Sequence, residues 1–591
     1  MAHLLGQWLF FAALSVVFVC LLRSVRAPVY LNNDNEGIVG IAEDGFLAPF
    51  VHFVWSYMLT GLYALHSEVP WYGLLLYALQ AGALSVVLTM FYRAIPHRGF
   101  FCLFAIVVLF FWADMLVRLD YTTTSIMVGA SAVLLFALLQ REDRATWKQS
   151  LLLGLLVALS ALPRAEGIIA VVLVAGPFLV ILWFMALKRS ARPMAHIPRN
   201  ALPFVCLLLP GLLVYLLNDA CRDNLLTEEE RVYERFNELR GRFHDFPIAA
   251  ANLGNRRVHE ATGWTESDYI RLVRWMFFDE RIYDIERLQA FYRHASCPDV
   301  QATSIRQIGL SVYHVLRTYC EAVLLMAAGL ALIWGRGMVR LPDFIMCCVA
   351  AGAALGIAVT MDLFLRFPYQ IGYPMLLFAG LLLFVFAVTP RKAGQPAVDE
   401  GDCTADAHPD RRAAVDHAPL PTVRPNALRK MARTCVVPAA VLLACLAHGV
   451  RLSRHYRAID AECRFREAVT RYIDGNHPGS FLIAEPGLTP FHFCDPIRPP
   501  QHSFTRIPLG WSTFHPWFYR KLKAMGLERG AELMPAMMSR DDILVLTSQP
   551  GMELLLQYSH QEGFGDPQVE RLNEWGGVIL YRLRAMPASS S

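Results

Sequence analysis

Several signatures of soluble chemistry are absent from this sequence. It has no GxGxxG after a strand and no Walker motif, so nothing indicates a nucleotide site. No CxxC pair or Cys/His set among its 13 cysteines has zinc spacing. Its 54 Lys and Arg residues are spread through short loops without forming a basic tract, which argues against nucleic-acid binding.

Charge is also scarce. Only 18% of the 591 residues are charged, whereas soluble proteins average about 25%, and 55% are hydrophobic. The mean hydropathy is +0.37. This composition predicts a polytopic membrane protein with soluble parts attached. The N-terminal apolar segment lacks a basic n-region and a small-x-small cleavage site, so we interpret it as a membrane helix and not as a signal peptide.

Eleven apolar segments are predicted to span the membrane, and the one at 150–162 is short for a span. They are 4–22, 71–91, 100–117, 123–140, 150–162, 168–187, 201–217, 309–334, 344–363, 371–388 and 435–450. Lys and Arg are concentrated in alternate loops, at 93–98, 141–148, 188–199, 336–340 and 390–433. These loops are therefore predicted to be cytoplasmic, and the loops between them face the outside.

A further apolar stretch, Phe46–Leu65, lies between the first two spans. If the N-terminus is cytoplasmic, this stretch cannot cross and must lie at the interface, which suits the amphipathic rings of Trp55 and Tyr57. The alternative has an external N-terminus and a spanning Phe46–Leu65. Arg23 and Arg26 favour that alternative, because they would then be inside. We prefer the interfacial helix.

The fold class is thus mainly α, with four predicted regions. The membrane domain is 1–389, with outer loops at 23–70 and 218–308; a linker rich in Pro, Ala, Asp and Arg at 390–434 is predicted to be cytoplasmic and disordered. A last membrane helix at 435–450 leads to an external α/β domain at 451–591, where helix-like stretches alternate with the β-like runs SFLIAEP, DILVLTS and VILYRLR. Four exported cysteines allow the disulfides Cys221–Cys297 and Cys463–Cys494, with four unpaired thiols as the alternative.

The predicted outer loops carry ionisable side chains at the ends of the spans. They are Asp34 and Glu36 in the first loop, Arg118 and Asp120 in the second, Arg164 and Glu166 in the third, and Arg366 with Tyr369 in the fifth. Such groups are costly at a membrane boundary unless they are paired or used. Since these loops share one face, carboxylates could take a proton from a hydroxyl and arginines could hold a phosphate. For any single residue, solvation, helix capping or headgroup anchoring remains the structural alternative.

The order of these features resembles the GT-C superfamily of membrane glycosyltransferases. Its members include the protein O-mannosyltransferases and the bacterial enzymes that put aminoarabinose on lipid A. The resemblance covers about residues 1–390. It includes the acids after the first helix, the non-spanning helix in the first outer loop, the Arg118/Asp120 pair, the run LRFPYQIGYP with Arg366, and the large loop 218–308.

A closer resemblance is to a group of bacterial membrane proteins with an NDD…G…P…H first loop. Here that loop has Asn33, Asp34, Asn35, Glu36, Gly45, Pro49 and His52, and the chain also has VPWY at 69–72, TTT at 122–124 and Gly263-Trp264-Thr265 followed by Asp268. Where that group has paired acids, this chain has Asp34-Asn35-Glu36. Which carboxylate is the base therefore stays open.

The resemblance implies a sugar transfer on the outer face of a bacterial cytoplasmic membrane. The donor would be a sugar on polyprenyl phosphate, and the acceptor a hydroxyl of an envelope glycan, lipid or protein. Asp34 would deprotonate the acceptor with inversion, Arg164 and Arg366 would stabilise the departing phosphate, and Glu36 would position the sugar or a divalent metal ion. The predicted set that binds the substrate and the lipid phosphate is completed by Arg118, Asp120, Glu166 and Tyr369. The alternatives are a flippase for a lipid-linked sugar, which predicts polar residues deep in several spans, and a non-catalytic envelope scaffold.

Overall fold

The computed structural model describes residues 2–189, 197–246, 248–296, 304–336, 341–388, 431–486, 488, 494–498 and 501–586. Up to residue 225 the helices are α1 (Ala2–Val25), α2 (Asn33–Glu43), α3 (Phe53–Leu65), α4 (Trp71–Ala94), α5 (Arg98–Val117), α6 (Tyr121–Arg141), α7 (Trp147–Ser160), α8 (Gly167–Arg189) and α9 (Ile197–Leu225). From there to residue 388 they are α10 (Glu228–Asp245), α11 (Ile248–Ala251), α12 (Arg256–Thr262), α13 (Glu266–Val273), α14 (Ile285–His294), α15 (Ile305–Thr318), α16 (Cys320–Arg336), α17 (Leu341–Phe364) and α18 (Tyr369–Val388).

Nine helices in the described residues are long and apolar enough to cross a bilayer, and a bent pair brings the number to as many as ten. This confirms the mainly helical, multi-pass class that the composition predicts. Two of the eleven predicted spans differ. The segment at 150–162 belongs to α7, which has only 14 residues. The segment at 309–334 is not one straight helix, since α15 and α16 meet at Tyr319 with a bend of 84°.

Polar contacts accompany the bend at Tyr319. The Tyr319 side chain is buried, and its hydroxyl donates to the Phe367 carbonyl at 3.3 Å. In α15 the polar side chains Ser311 and His314 bind Asp362 of α17 at 2.7 and 2.6 Å. The apolar run at 309–334 was therefore predicted as one span, but in the structure the polar side chains of α15 contact α17.

The centre of the bundle is formed by α6 and α18, which are buried along almost their whole length. Helices at the periphery expose large apolar side chains, such as Phe10 of α1, Leu213 of α9 and Val349 of α17. This inverted pattern is expected where the surrounding solvent is lipid.

The first outer segment folds back onto the bundle. A short parallel pairing of β1 (Val29–Tyr30) with β2 (Arg118–Leu119) fixes its start next to the end of α5. Helix α3 begins at Phe53 and has 13 residues, fewer than the roughly 20 that a span needs. That length agrees with the interfacial helix preferred for Phe46–Leu65.

The C-terminal region contains α19 (Val437–Asn476), α20 (Pro516–Ala524), α21 (Leu533–Ser539), α22 (Gln549–Gln561) and the strands β3 (Phe481–Ala484), β4 (Thr505–Ile507), β5 (Ile543–Ser548), β6 (Gln568–Trp575) and β7 (Val578–Arg584). The sheet has the order β4-β3-β5-β7-β6, in which β3 is parallel to β4 and β5 while β7 is antiparallel to β5 and β6. It shares one hydrophobic core with α10–α14, so the large outer loop and the α/β region pack as one body.

One of the sequence predictions on this part of the chain has a structural outcome. The Cys494 thiol is free and buried, which excludes the Cys463–Cys494 disulfide in this structure. Cys297 and the linker at 390–430 lie outside the described residues, so the Cys221–Cys297 pair and the disordered linker stay predictions.

Candidate functional site

Asp34 lies in the first turn of α2, and a network of amides fixes that turn. The Asn32 side chain caps the helix by accepting from the Asn35 backbone N–H at 3.3 Å. The side-chain amides of Asn32 and Asn35 both donate to Oδ2 of Asp120 at 3.1 Å. Tyr72 donates to the Asn35 side-chain oxygen at 2.9 Å. Asp120 thus anchors the turn that carries Asp34.

The Asp34 carboxylate faces Tyr121 and Arg164. The Tyr121 hydroxyl lies 3.4 Å from Oδ2 of Asp34, and Nη1 of Arg164 donates to Tyr121 at 3.1 Å and to Oγ1 of Thr122 at 3.0 Å. Burial raises the pKa of Asp34 to about 6; Arg164 opposes this rise and the negative charge of Asp120 adds to it. A carboxylate with such a pKa can accept a proton near neutral pH and release it again.

Two further arginines direct positive charge at Asp34. Arg240 of α10 and Arg366 both lower its pKa through their charge, though less than Arg164 does. Arg366 is exposed and lies 3.6 Å from Asp245, whereas Arg240 is only 3% exposed and has its guanidinium carbon 4.6 Å from the Trp275 ring centre. Within the described residues no carboxylate is within ion-pair distance of Arg240, and its Nε has no hydrogen-bond partner. A buried guanidinium of this kind is suited to an anionic ligand.

Arg240 is a site residue that the sequence reasoning missed. It stands on the apolar face of α10, at helical spacing from Tyr233, Phe236 and Phe243, all of which are buried. An arginine in such a stripe is the available sequence signal, because a charge is rarely placed among core residues without a use.

Of the predicted residues, the structure brings Asp34, Asp120 and Arg164 together, with Arg366 near enough to act through its charge. Glu36 faces the other way and forms an ion pair with Arg506 of the C-terminal domain. Glu166 is exposed and lies 3.5 Å from Nε of Arg164.

Arg118 and Tyr369 belong to a neighbouring buried network. Arg118 is paired with Asp114, which also accepts from the Tyr369 hydroxyl at 2.6 Å. The Arg118 and Arg451 guanidinium carbons lie 4.3 and 4.8 Å from the Tyr369 ring centre, and Arg451 is paired with Glu321. These contacts give Arg118 and Tyr369 structural partners, and their binding of a lipid phosphate stays a prediction.

The donor set around Asp34 does not fit a resident divalent cation. Asp120 already accepts two amides on Oδ2 and the Thr123 N–H on Oδ1 at 2.9 Å. The open side of Asp34 faces guanidinium groups, and Glu36 is committed to Arg506. No group of three His, Cys, Asp or Glu side chains in the described part of the chain could hold a metal.

Comparisons with known proteins give a structural likeness alone. No family model and no curated protein sequence matches the chain. Over 98% of its length the chain is similar to two crystal structures of ArnT from Cupriavidus metallidurans, one bound to undecaprenyl phosphate and one in the apo state, each with 12% identity. The TM-scores are 0.42 and 0.31, and 98% and 97% of the ArnT chains are covered.

Proposed function

We propose that this protein is a membrane glycosyltransferase of the GT-C type that moves a sugar from a polyprenyl-phosphate donor to a hydroxyl of an envelope acceptor. One observation carries the proposal. A half-buried carboxylate, Asp34, faces the positive charges of Arg164, Arg240 and Arg366 next to the ends of the apolar helices. A base opposite phosphate-binding groups is the arrangement that this reaction needs.

The proposed mechanism is a single displacement with inversion. Asp34 accepts the proton of the acceptor hydroxyl while that oxygen attacks the anomeric carbon of the donor. The bond between the anomeric carbon and the phosphate oxygen breaks, and the electron pair leaves with the lipid phosphate. Arg164, Arg240 and Arg366 stabilise the negative charge that develops there, and the proton on Asp34 is later released to water.

The proposal assigns the other residues to supporting roles. Asp120 holds the start of α2 through Asn32 and Asn35, so it positions Asp34. Glu166 stays within reach of Arg164 and orients its guanidinium. We place this site and the C-terminal domain on the outer side of the bacterial cytoplasmic membrane, because the loops that carry the site alternate with loops rich in Lys and Arg.

The function is tested with purified protein in lipid nanodiscs. The donor pool is the polyprenyl-linked sugar fraction extracted from membranes of the source organism, and its envelope extract supplies the acceptor. The measured quantity is free polyprenyl phosphate released over time, by mass spectrometry. Wild type is expected to release it in proportion to enzyme, and Asp34→Asn to release it about 10²- to 10⁴-fold more slowly. If Asp34→Asn released polyprenyl phosphate as fast as wild type does, Asp34 would not be the base. No release by wild type would favour the flippase or scaffold alternatives.

A further inference from the structure

A cavity of about 1180 Å³ lies between α2 and the C-terminal domain. Its walls come from one face of α2, from the outer part of α19, and from segments that follow the carboxyl ends of the parallel strands β3 and β4. Ligands of open α/β sheets bind outside the carboxyl ends of the strands. The volume exceeds the roughly 300–1,000 Å³ typical of sites for single small molecules. The space is therefore large enough for an oligomeric ligand.

The cavity lies mainly against the face of α2 that points away from Asp34, and it extends to the start of the helix at Asn33. Glu36, Gly37, Gly40 and Glu43 line the cavity, and their spacing of one, four and seven residues places them on one helix face. Asp34 lies two residues before Glu36, which turns it about 200° away around the helix axis. Helix α2 therefore directs Asp34 toward the arginines and its opposite face toward the cavity.

Two glycines let tryptophan rings form part of the cavity wall. A Cβ at Gly37 would lie 2.2 Å from Cζ2 of Trp511, and a Cβ at Gly40 would lie 2.8 Å from Cζ2 of Trp517. The indoles therefore pack directly on the backbone of α2 and tie it to the C-terminal domain. A third indole, Trp575 at the end of β6, is half-buried and also lines the cavity.

The charges of the lining nearly cancel. The lining contains four Asp or Glu side chains and three Arg or Lys side chains, and Glu36 is paired with Arg506. Such a lining has no strong field to attract a polyanion. It offers donors and acceptors to hydroxyl groups and flat aromatic faces to the C–H faces of sugar rings. These properties favour a polyhydroxylated, weakly charged oligomer.

We propose that this cavity is a saccharide-binding site that holds the glycan part of the acceptor. Its identity as the acceptor site rests on the proposed function; the binding of a saccharide does not. The cavity reaches Asn33, the residue before Asp34, so a bound glycan chain ends beside the turn that carries the base. Contacts to Glu36 and to the two indoles would hold α2 in place while the hydroxyl meets Asp34.

The test uses the whole chain in detergent and oligosaccharides released by mild acid from the envelope of the source organism. Binding is measured by calorimetry on size-separated fractions. Arg464→Ala is the main variant, because Arg464 is exposed and lines the cavity, so the change does not threaten folding. Trp575→Ala removes an aromatic face. Arg457→Ala is the matched control, since Arg457 lies on the same helix, is exposed and is not part of the lining.

We expect wild type to bind at least one fraction, Arg464→Ala and Trp575→Ala to bind it about tenfold more weakly, and Arg457→Ala to bind as wild type does. In the transfer assay the KM for acceptor should rise about tenfold in Arg464→Ala with kcat nearly unchanged. The proposed saccharide site would be wrong if wild type bound no fraction, or if Arg464→Ala and Trp575→Ala bound as tightly as wild type does. The Asp34→Asn protein separates the two proposals, because it should lose transfer and keep saccharide binding.

Discussion

The phenol of Tyr121 links Arg164 to Asp34, with its oxygen 3.4 Å from Oδ2 of Asp34 and 3.1 Å from Nη1 of Arg164. Within the described residues no ion pair is formed by Asp34 itself. A direct pair would favour the charged carboxylate and keep its pKa low. The indirect link leaves burial as the dominant influence, and the pKa rises to about 6.

The first prediction concerns pH. If Asp34 is the base, only its ionised form is active, so kcat/KM should rise with pH up to about 6 and level off above it. Asp34→Asn should remove this limb and lower kcat by about 10²- to 10⁴-fold, the usual contribution of a general base. Glu68→Gln, an exposed change in the same outer segment, should keep the wild-type profile. A profile that is flat from pH 5 to pH 8 in wild type would contradict the role.

The same shift has a consequence for stability. Because the pKa of Asp34 is higher in the folded protein than its usual 3.8, the folded state gains stability from the protonated form below pH 4 and loses it as pH rises through about 6. Asp34→Asn should therefore unfold at a higher temperature than wild type at pH 7.5, with the difference vanishing near pH 4.

The second prediction concerns the buried guanidinium. Arg240→Gln should weaken binding of polyprenyl phosphate by about 10- to 100-fold, since charge-assisted hydrogen bonds contribute about 1.5–3 kcal/mol. Arg242→Gln is the control, because Arg242 follows on the same helix but is exposed and paired with Glu238. Affinity is measured in nanodiscs with undecaprenyl phosphate as the probe.

A purely structural role for Arg240 would give a different result. Arg240 is hydrogen-bonded to Asn237 but has no carboxylate partner within the described residues. Removal of such a charge does not lower stability in the way that loss of one member of a buried ion pair does. We expect Arg240→Gln to keep or raise the melting temperature while losing affinity. A lower melting temperature with unchanged affinity would rule out the ligand role.

The third prediction concerns the contact between α2 and the C-terminal domain. Gly37→Ala should displace the Trp511 ring, because the new Cβ would meet it at 2.2 Å. We expect a loss of about 1–3 kcal/mol, as for other overpacking changes, and a fall in transfer. Gly61→Ala in α3 has open space around it and should be neutral or slightly stabilising. Thermal unfolding in detergent distinguishes the two.

The fourth prediction concerns the paired charges around Tyr369. Glu321 is buried, and its loss would leave the charge of Arg451 without its carboxylate. Glu321→Gln should lower the free energy of unfolding by about 3–5 kcal/mol. Glu228→Gln removes an exposed partner of Arg231 and should change it by less than about 1 kcal/mol. Equal unfolding curves for both variants would contradict the structural role.

The fifth prediction concerns topology. A cysteine introduced at Glu68 in a chain without other reactive cysteines should react with a membrane-impermeant maleimide in intact cells. A cysteine at Asp143 should react only after the membrane is opened. Both positions are exposed, so access depends on the side of the membrane alone. Labelling of position 143 in intact cells would show that the predicted orientation is wrong.

The sequence was sufficient to predict most of the apolar helices and three of the five C-terminal strands, because hydropathy and β-branched runs are local properties. The runs at SFLIAEP, DILVLTS and VILYRLR correspond to β3, β5 and β7. Hydropathy could not show the bend at Tyr319, since the apolar run continues through it and the hydrogen bond made there joins Tyr319 to the distant Phe367.

The candidate site was predicted in part for a related reason. Asp34, Asp120 and Arg164 follow from their places after spans, whereas the inward position of Arg240 depends on packing against Trp275 from another helix. The pairing of Glu36 with Arg506 joins residues that are 470 positions apart. Helical spacing alone, however, already turns Glu36 away from Asp34.

The helix Val437–Asn476 runs for 40 residues from the apolar bundle to the first strand of the C-terminal domain without a break. Each inserted residue would rotate whatever follows by about 100° and raise it by about 1.5 Å. The number of residues in α19 therefore sets the rotation of the C-terminal domain and its height above the membrane where it contacts α2. Homologues should vary its surface freely but keep its length constant.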